Sequence, residues 1–458
     1  MASRLFEEFD EVSAKAWKQK IQYDLKGADY NNTLVWESPE GIKVKPFYHS
    51  EDLKKRQRSN LRTSSPWKIG QKIFTADAKT SNLRALDILQ KGAESLVFEI
   101  TSEEIKIDKL LRNIDLNLVP VHFDLRFLSS EYVDQLLDFQ QKSTGQFHIN
   151  LDIIGHLARS GNWFYNLQKD HEILEHIVSR FSHIEPNTAI SVDAAIYQNA
   201  GANMVQQLAY ALAHANEYLN HGLVKIDHGI VFKMAVGSNY FFEIAKLRAM
   251  RILWKSLSSE YGLTRNCQIV ATPSRRNKTL YDYNVNMLRT TSECMSAILG
   301  GADTIVNLPY DEIYHRYNEF GTRIARNQLL ILKNESYFDN VANPTDGSYY
   351  IETLTSQLAE KALTLFKDIE ASGGFLKQLK NHTIQKKIRE SAKKEQDLID
   401  GEKEILIGSN KYQNLNDLMK NDIELNPFVR TNKRKTLIEP ILEKRLAEKM
   451  EQKRLVDE

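Results

Sequence analysis

The sequence predicts a closed (β/α)8 barrel over residues 68–338, with an N-terminal arm over 1–67 and a C-terminal helical extension over 339–458. Three observations carry this. Between residues 69 and 334, eight short β-branched or apolar runs alternate with eight amphipathic runs of helical period, as repeated βα units around a parallel sheet require. Those units fill about 265 residues, the size of one such barrel. An open doubly wound sheet could share the alternation, but no Gly-x-Gly-x-x-Gly follows the first strand to support a dinucleotide fold.

The arm opens with an amphipathic helix on which Val12, Ala16, Trp17 and Ile21 recur at helical spacing. Asp24-Leu-Lys-Gly27 ends it, Gly27 serving as a left-handed cap. Leu34-Val-Trp36, Ile42-Lys-Val44 and Pro46-Phe-Tyr48 read as short strands around the turn Pro39-Glu-Gly41. The barrel strands are expected at 69–74, 95–100, 119–125, 147–154, 189–195, 229–236, 268–272 and 304–308. Helices are expected near 80–91, 103–113, 130–142, 163–181, 203–219, 239–259, 282–299 and 321–334. Thr101-Ser-Glu-Glu104 has the form of a capping box for the second of these. Beyond the barrel, Asn343-Pro-Thr-Asp-Gly-Ser-Tyr-Tyr350 is a turn into a helix from about Glu352 to Ser372, stopped by Gly373-Gly374. Residues 377–458, rich in lysine and glutamate of both signs, read as largely helical.

Composition narrows the function. Lys+Arg 61 against Asp+Glu 60 leaves no broad positive footprint for nucleic acid or an anionic membrane. Cys267 and Cys294 are the only cysteines, which excludes a disulfide-dense scaffold and a cysteine-rich zinc module. No stretch is long and apolar enough for a bilayer span or a secretory signal, so a cytoplasmic protein is expected. His171 and His176 lack the i, i+4 spacing of paired helical ligands, while His214 and His221 stand two turns apart. No metal site is expected.

In a barrel, reactive groups belong at the C-terminal ends of strands and in the loops that follow. Residues there are Asp124, Arg126, Asp152, His156, Asp193, Tyr197, Gln198, Lys233, Arg275, Arg276, Asn307, Tyr310 and Asp311. A desolvated Lys233 with Asp193 as base would make an aldolase-like Schiff-base site.

Several runs, in order, resemble one family. They are Tyr240–Trp254 (YFFEIAKLRAMRILW), Asn284–Ala297 (NVNMLRTTSECMSA), Gly321–Gln328 (GTRIARNQ), Asn343–Tyr350 and Ile369–Gly374 (IEASGG). Together with Asp24–Gly27, Glu40–Pro46 and Ile407–Tyr412 they resemble the acyl-CoA-binding barrel of the adenosylcobalamin-dependent methylmalonyl-CoA mutases, across about residues 5–412.

Departures from that pattern matter as much as the match. The family's cobalamin domain carries Asp-x-His-x-x-Gly, which is absent here, and too few residues follow Tyr412 for such a domain. Where active chains carry Tyr-His-x-Gln-Glu-Ala-Gly-Ala, this chain has Ala195-Ile-Tyr-Gln-Asn-Ala-Gly-Ala202, with Ile196 in the histidine's place. The family's substrate arginine falls at Gly229, and the run that meets CoA and corrin becomes Ser274-Arg-Arg-Asn-Lys-Thr279. The tyrosine-bearing end of the family's first strand has no counterpart in Ile69-Gly-Gln-Lys-Ile-Phe74. The resemblance therefore implies the small (beta) subunit of a heterodimeric mutase, with no catalytic, cofactor-binding or metal residue of its own. Adenosylcobalamin is expected on a large-subunit partner, with the aromatics Phe6, Phe9, Trp17, Tyr30, Trp36, Phe47 and Tyr48 of the arm as contacts. The alternative is the barrel subunit of a split mutase that takes its cobalamin domain from another chain, which should retain the histidine and the arginine.

Overall fold

Alternation along the second barrel strand explains how the sheet closes. Leu96, Phe98 and Ile100 are fully buried toward the helices, whereas Val97 joins Val231, Val270 and Val306 in a separate apolar cluster on the barrel axis. In the computed structural model, which describes residues 8–53, 66–141, 145–181, 188–223, 229–429 and 434–458, eight parallel strands form a closed barrel. The strands are β1 Lys68–Thr75, β2 Ser95–Ile100, β3 Val121–Leu125, β4 Phe147–Leu151, β5 Thr188–Asp193, β6 Ile230–Val236, β7 Gln268–Pro273 and β8 Thr304–Val306. Each pairs with the next, and β8 returns to β1 with Thr304 opposite Lys68. Gly70 permits that last pairing, since a Cβ there would lie 2.7 Å from Thr304 Cγ2.

The helical coat is α1 Ala78–Gln90, α2 Ile107–Leu110, α3 Ser130–Gln140, α4 Leu167–Phe181, α5 Met204–Asn220, α6 Tyr240–Glu260, α7 Val285–Leu299 and α8 Glu319–Asn334. The expected box at Thr101–Glu104 does not form, and α2 shrinks to one turn. Ser102 Oγ instead accepts from the Glu104 amide, while the Glu103 carboxylate accepts from Ser129, the cap of α3. The fourth strand ends three residues early because Asp152 caps a short helix, Ile153–Ser160, through the Gly155 amide at 2.7 Å. A second short helix, Ala195–Asn199, follows β5.

The arm packs unevenly. Its helix, Ala14–Asp24, buries none of its residues, although Trp17 stacks on Phe47 with centroids 4.5 Å apart. Gly27 adopts φ +98°, the left-handed turn expected of it. Further on, Trp36–Glu37 pairs antiparallel with Lys43–Val44, Ile42 enters the core, and Trp36 sits edge-on to Phe242 of α6. Residues 46–48 form no strand, and Leu34 ends a helical turn, Tyr30–Leu34. Phe6 lies outside the described residues.

Helix Tyr349–Ala371 lies against α5 and α6 and stops at Gly373 and Gly374, with φ of +100° and +87°. Phe375–Lys380, Thr383–Asp400 and Glu448–Asp457 are helical. Between Gly401 and Ala447, where charge patterning suggested helix, the described chain runs in turns. That stretch is held by side-chain-to-backbone bonds such as Asn410 to Ile399 and Glu404, which compete with helical pairing. Beyond the barrel, the only sheet among the described residues is the two-stranded ribbon in the arm.

Candidate functional site at the barrel mouth

The C-terminal ends of β3 to β6 converge on a cavity of about 300 Å³. Asp124, Arg126, Asp152, His156, Asp193 and Lys233, all expected from the sequence, line it together. Asn150, Arg159, Ser160, Phe164 and Ser191, with the apolar Leu125 and Leu151, complete the wall and are not among the sequence candidates. Arg159 was legible in principle, three residues after His156 on the same short helix.

The charges in this mouth pair with one another. Lys233 Nζ donates to Asp124 Oδ2 at 2.7 Å, and Asn150 Nδ2 to Asp124 Oδ1 at 2.7 Å. Glu99 takes Lys72 at 2.6 Å and Arg126 at 2.5 Å. Asp152 accepts from Tyr218 at 2.7 Å and from the Asp193 amide at 2.7 Å, with His214 Nε2 2.8 Å away. Arg159 Nη2 donates to Asp193 Oδ2 at 3.0 Å, and its Nε to Glu443 Oε1 at 3.4 Å.

This pairing decides the protonation states. Burial alone would lower the Lys233 pKa, but Asp124 and Asp193 outweigh it, and the ammonium is held above its ordinary range. A Schiff-base lysine needs the opposite shift, so the aldolase-like reading fails on this geometry. Burial would likewise raise Asp193, yet Arg159 and Lys233 bring its carboxyl below the usual range, which makes it a poor base at neutral pH. Burial, reinforced by Arg159, holds His156 down to about 4, so its ring is neutral at pH 7. Ile196 is fully buried in the helix after β5, where it offers no proton or hydrogen bond.

The C-terminal segment closes over this end of the barrel. Leu437 and Ile438 amides donate to Gly161 O, Ile441 to Ala158 O, Lys444 to Asn199 O and Leu446 to Arg276 O. Glu443, besides meeting Arg159, accepts from Asn199 Nδ2 at 3.1 Å. The run Ser274–Thr279 is locked beneath. Arg276 reaches Glu395 at 2.6 Å and Lys444 O at 2.8 Å, Lys278 Nζ pairs with Glu293 at 2.8 Å, and Arg445 donates to Lys278 O at 3.0 Å.

Other sequence candidates serve packing elsewhere. Tyr197 meets His214 Nδ1 at 2.9 Å, Gln198 accepts from Ser274, and Arg275 pairs with Glu312. Asn307 ties to Ala325 O and Gln328, Tyr310 stacks on Tyr283, and Asp311 holds His315 and Asn318. Gly229, aligned by the resemblance with the family's substrate arginine, instead precedes β6 at the end of the barrel opposite the mouth, where a Cβ built on it would meet only Thr188 Cγ2, at 3.1 Å. His171 packs against His221 at 4.5 Å, and His176 faces Asp134. Among the described residues, no three His, Cys, Asp or Glu side chains converge to hold a metal, and no helix is long and apolar enough to cross a membrane.

The chain matches the methylmalonyl-CoA mutase family model over residues 101–455. It is 34% identical to the methylmalonyl-CoA mutase small subunit of Porphyromonas gingivalis, over 92% of this chain and 73% of that protein. It is 30% identical to the methylmalonyl-CoA mutase of Cereibacter sphaeroides (87% of this chain, 64% of that protein). With the small subunit of Streptomyces virginiae identity is 29%, over 82% and 66%. The chain thus spans about two thirds to three quarters of these relatives. Eight-stranded parallel closure, the ordered helix motifs and this similarity agree: the chain belongs to the methylmalonyl-CoA mutase family and is similar to its small subunits.

Proposed function

We propose that this chain is a non-catalytic small subunit that pairs with, and stabilises, a catalytic large subunit of methylmalonyl-CoA mutase. On this reading the radical interconversion of methylmalonyl-CoA and succinyl-CoA occurs wholly on the partner, and the complex works in the cytoplasm. One observation carries it: the charged mouth groups that could do chemistry are paired internally, and the chain's own residues 437–446 lie across that face.

Adenosylcobalamin supplies the radical chemistry when bound to the partner. The residues here do not fit that cofactor. The run Ser274–Thr279, which corresponds to the family's contact with CoA and corrin, is covered by Lys444 and Leu446, and no step is derived through the group. Pairing is supported by the arm helix, which buries nothing on its own barrel. An isolated helix of 11 residues is marginal in water, so a partner surface is its natural support. The split-mutase alternative is disfavoured by Ile196, which stands where such a barrel should retain a histidine; Gly229 precedes β6 at the end of the barrel opposite the mouth and does not bear on it.

Co-expression with a cobalamin-domain-bearing mutase chain, followed by mass determination of the purified complex, tests the proposal. A one-to-one complex is expected, with turnover that survives Asp193→Asn and Lys233→Met in this chain. Turnover by this chain alone with added adenosylcobalamin, or failure of the folded chains to associate, would overturn it.

A further inference from the structure

Residues 434–445 form neither helix nor strand, yet they place one carboxylate between two donors on the barrel rim. Arg159 Nε donates to Glu443 Oε1 at 3.4 Å, and Asn199 Nδ2 donates to Glu443 Oε2 at 3.1 Å. Both donors are held by groups other than Glu443. Arg159 is fixed from the barrel side by Asp193, which accepts from its Nη2 at 3.0 Å. Asn199 is buried, and its Oδ1 accepts from the Arg275 amide at 3.1 Å, which orients the side-chain amide and aims Nδ2. Arg275, itself paired with Glu312, stands close enough for its charge to favour an anion at the same place. The rim therefore builds an acid-binding cradle without help from the segment that fills it.

The occupant fits that cradle loosely. Charge-assisted N–H···O bonds settle at about 2.7–2.9 Å, and both bonds to Glu443 are longer. The backbone on either side is committed elsewhere. Ile441 and Lys444 amides bond to Ala158 O and Asn199 O at 2.8 and 3.0 Å, which limits how far the side chain can advance. A carboxylate without that tether could shorten both bonds. Solvent reaches the place, since the Glu443 side chain is 31% exposed.

We propose that Arg159 and Asn199 form a subsite for a small aliphatic carboxylate at the barrel rim, and that Glu443 occupies it from within the chain as an autoinhibitory contact that helps hold residues 437–446 across the mouth. The inference is independent of subunit pairing.

Truncating Glu443 to alanine removes Cγ and the carboxylate, the heavy atoms of acetate, so acetate is the probe. The full Glu443→Ala chain is titrated into [1-13C]acetate and the carboxyl line width followed, at constant ionic strength set with sodium chloride. Saturable broadening is expected, with an affinity about tenfold or more above that of the parent chain, in which the tethered carboxylate competes. Adding Arg159→Met or Asn199→Ala to Glu443→Ala should weaken binding about fivefold or more. Hydrogen exchange over residues 437–446, read by mass spectrometry without acetate, should be about fivefold or more faster in Glu443→Ala than in the parent. Glu443→Ser, which opens the same space, serves if the alanine variant does not fold, and either double variant that folds decides the location. No saturable acetate binding by the truncated chain, binding as tight in the parent, binding unchanged in a folded double variant, or unchanged exchange over 437–446 would each overturn the proposal.

Discussion

Replacing Lys278 by alanine asks whether the run Ser274–Thr279 has become part of the scaffold. Lys278 and Glu293 are each about 1% exposed, and the ammonium bonds both carboxylate oxygens, at 3.0 and 2.8 Å, with Asn277 bridging. Without the lysine, Glu293 is a lone carboxylate in the core, and its cheapest escape is to take up a proton. Burial already pushes its pKa up, the direction that favours this. Protonating a group of ordinary pKa 4.5 at pH 7 costs about 3.4 kcal/mol, at 1.36 kcal/mol per unit. That figure lies within the roughly 3–5 kcal/mol typical of breaking a buried pair. The sign with pH follows. The folded variant keeps its proton while the unfolded chain releases it above pH 4.5, so the variant loses stability as pH rises. Urea unfolding followed by circular dichroism should show a deficit against the parent chain of about 3 kcal/mol at pH 7. The deficit should shrink by roughly 1.4 kcal/mol at pH 6. A deficit below about 1 kcal/mol, or one independent of pH, would refute the argument that this pair is a buried structural anchor.

Other expectations follow from the same structure. On the proposed pairing, Trp17→Ala should weaken association with a large subunit about tenfold or more by calorimetry, while costing the isolated chain less than about 1.5 kcal/mol, because only the stacking on Phe47 is lost. Ile196→His should give no mutase turnover in an assay of the isolated chain, and should destabilise it by roughly 1–3 kcal/mol by burying an unpaired imidazole. Asp152 is set by burial, which raises it, against His214 and several hydrogen bonds, which bring it down to about 2. Its stabilisation, about 2 kcal/mol, is therefore present above pH 4 and lost as pH falls toward 2, and Asp152→Asn should flatten that part of the acid-unfolding curve.

The barrel was legible because strand and helix periods differ so clearly in this chain. All eight expected strands coincide with observed ones, and the errors fall at ends where a side chain intervenes. Asp152 turns the chain out of β4, and Pro120, with no amide hydrogen to donate, precedes the start of β3. At the mouth, periodicity placed Asp124, Asp152, Asp193 and Lys233 correctly because strand ends are fixed by the barrel itself. It could not show that Arg159 would be claimed by Glu443, since that contact joins residues 284 apart and depends on the course of the C-terminal segment. The same segment was misread as helix, because interspersed Lys and Glu describe a solvated surface equally well in turns.

On the proposed non-catalytic reading, β2 illustrates how a barrel can set aside its chemistry without losing its fold. Its outward residues Leu96, Phe98 and Ile100 pack on the helices, and no change at the mouth disturbs them. Its inward Glu99 meets Lys72 and Arg126, charges that would be costly in a closed interior if left alone. Once such charges pair with each other, the mouth no longer needs a substrate to satisfy them. The loops after β4, β5 and β7 are then free to receive Gly161-bound Leu437, Asn199-bound Lys444 and Arg276-bound Leu446. Those bonds reach across loops that no β-ladder joins, so the C-terminal segment stiffens the part of the barrel most exposed to local opening. If the chain is the structural subunit proposed above, its task of presenting a rigid surface gains from that stiffness, whereas an active-site mouth that must admit substrate would be obstructed by it.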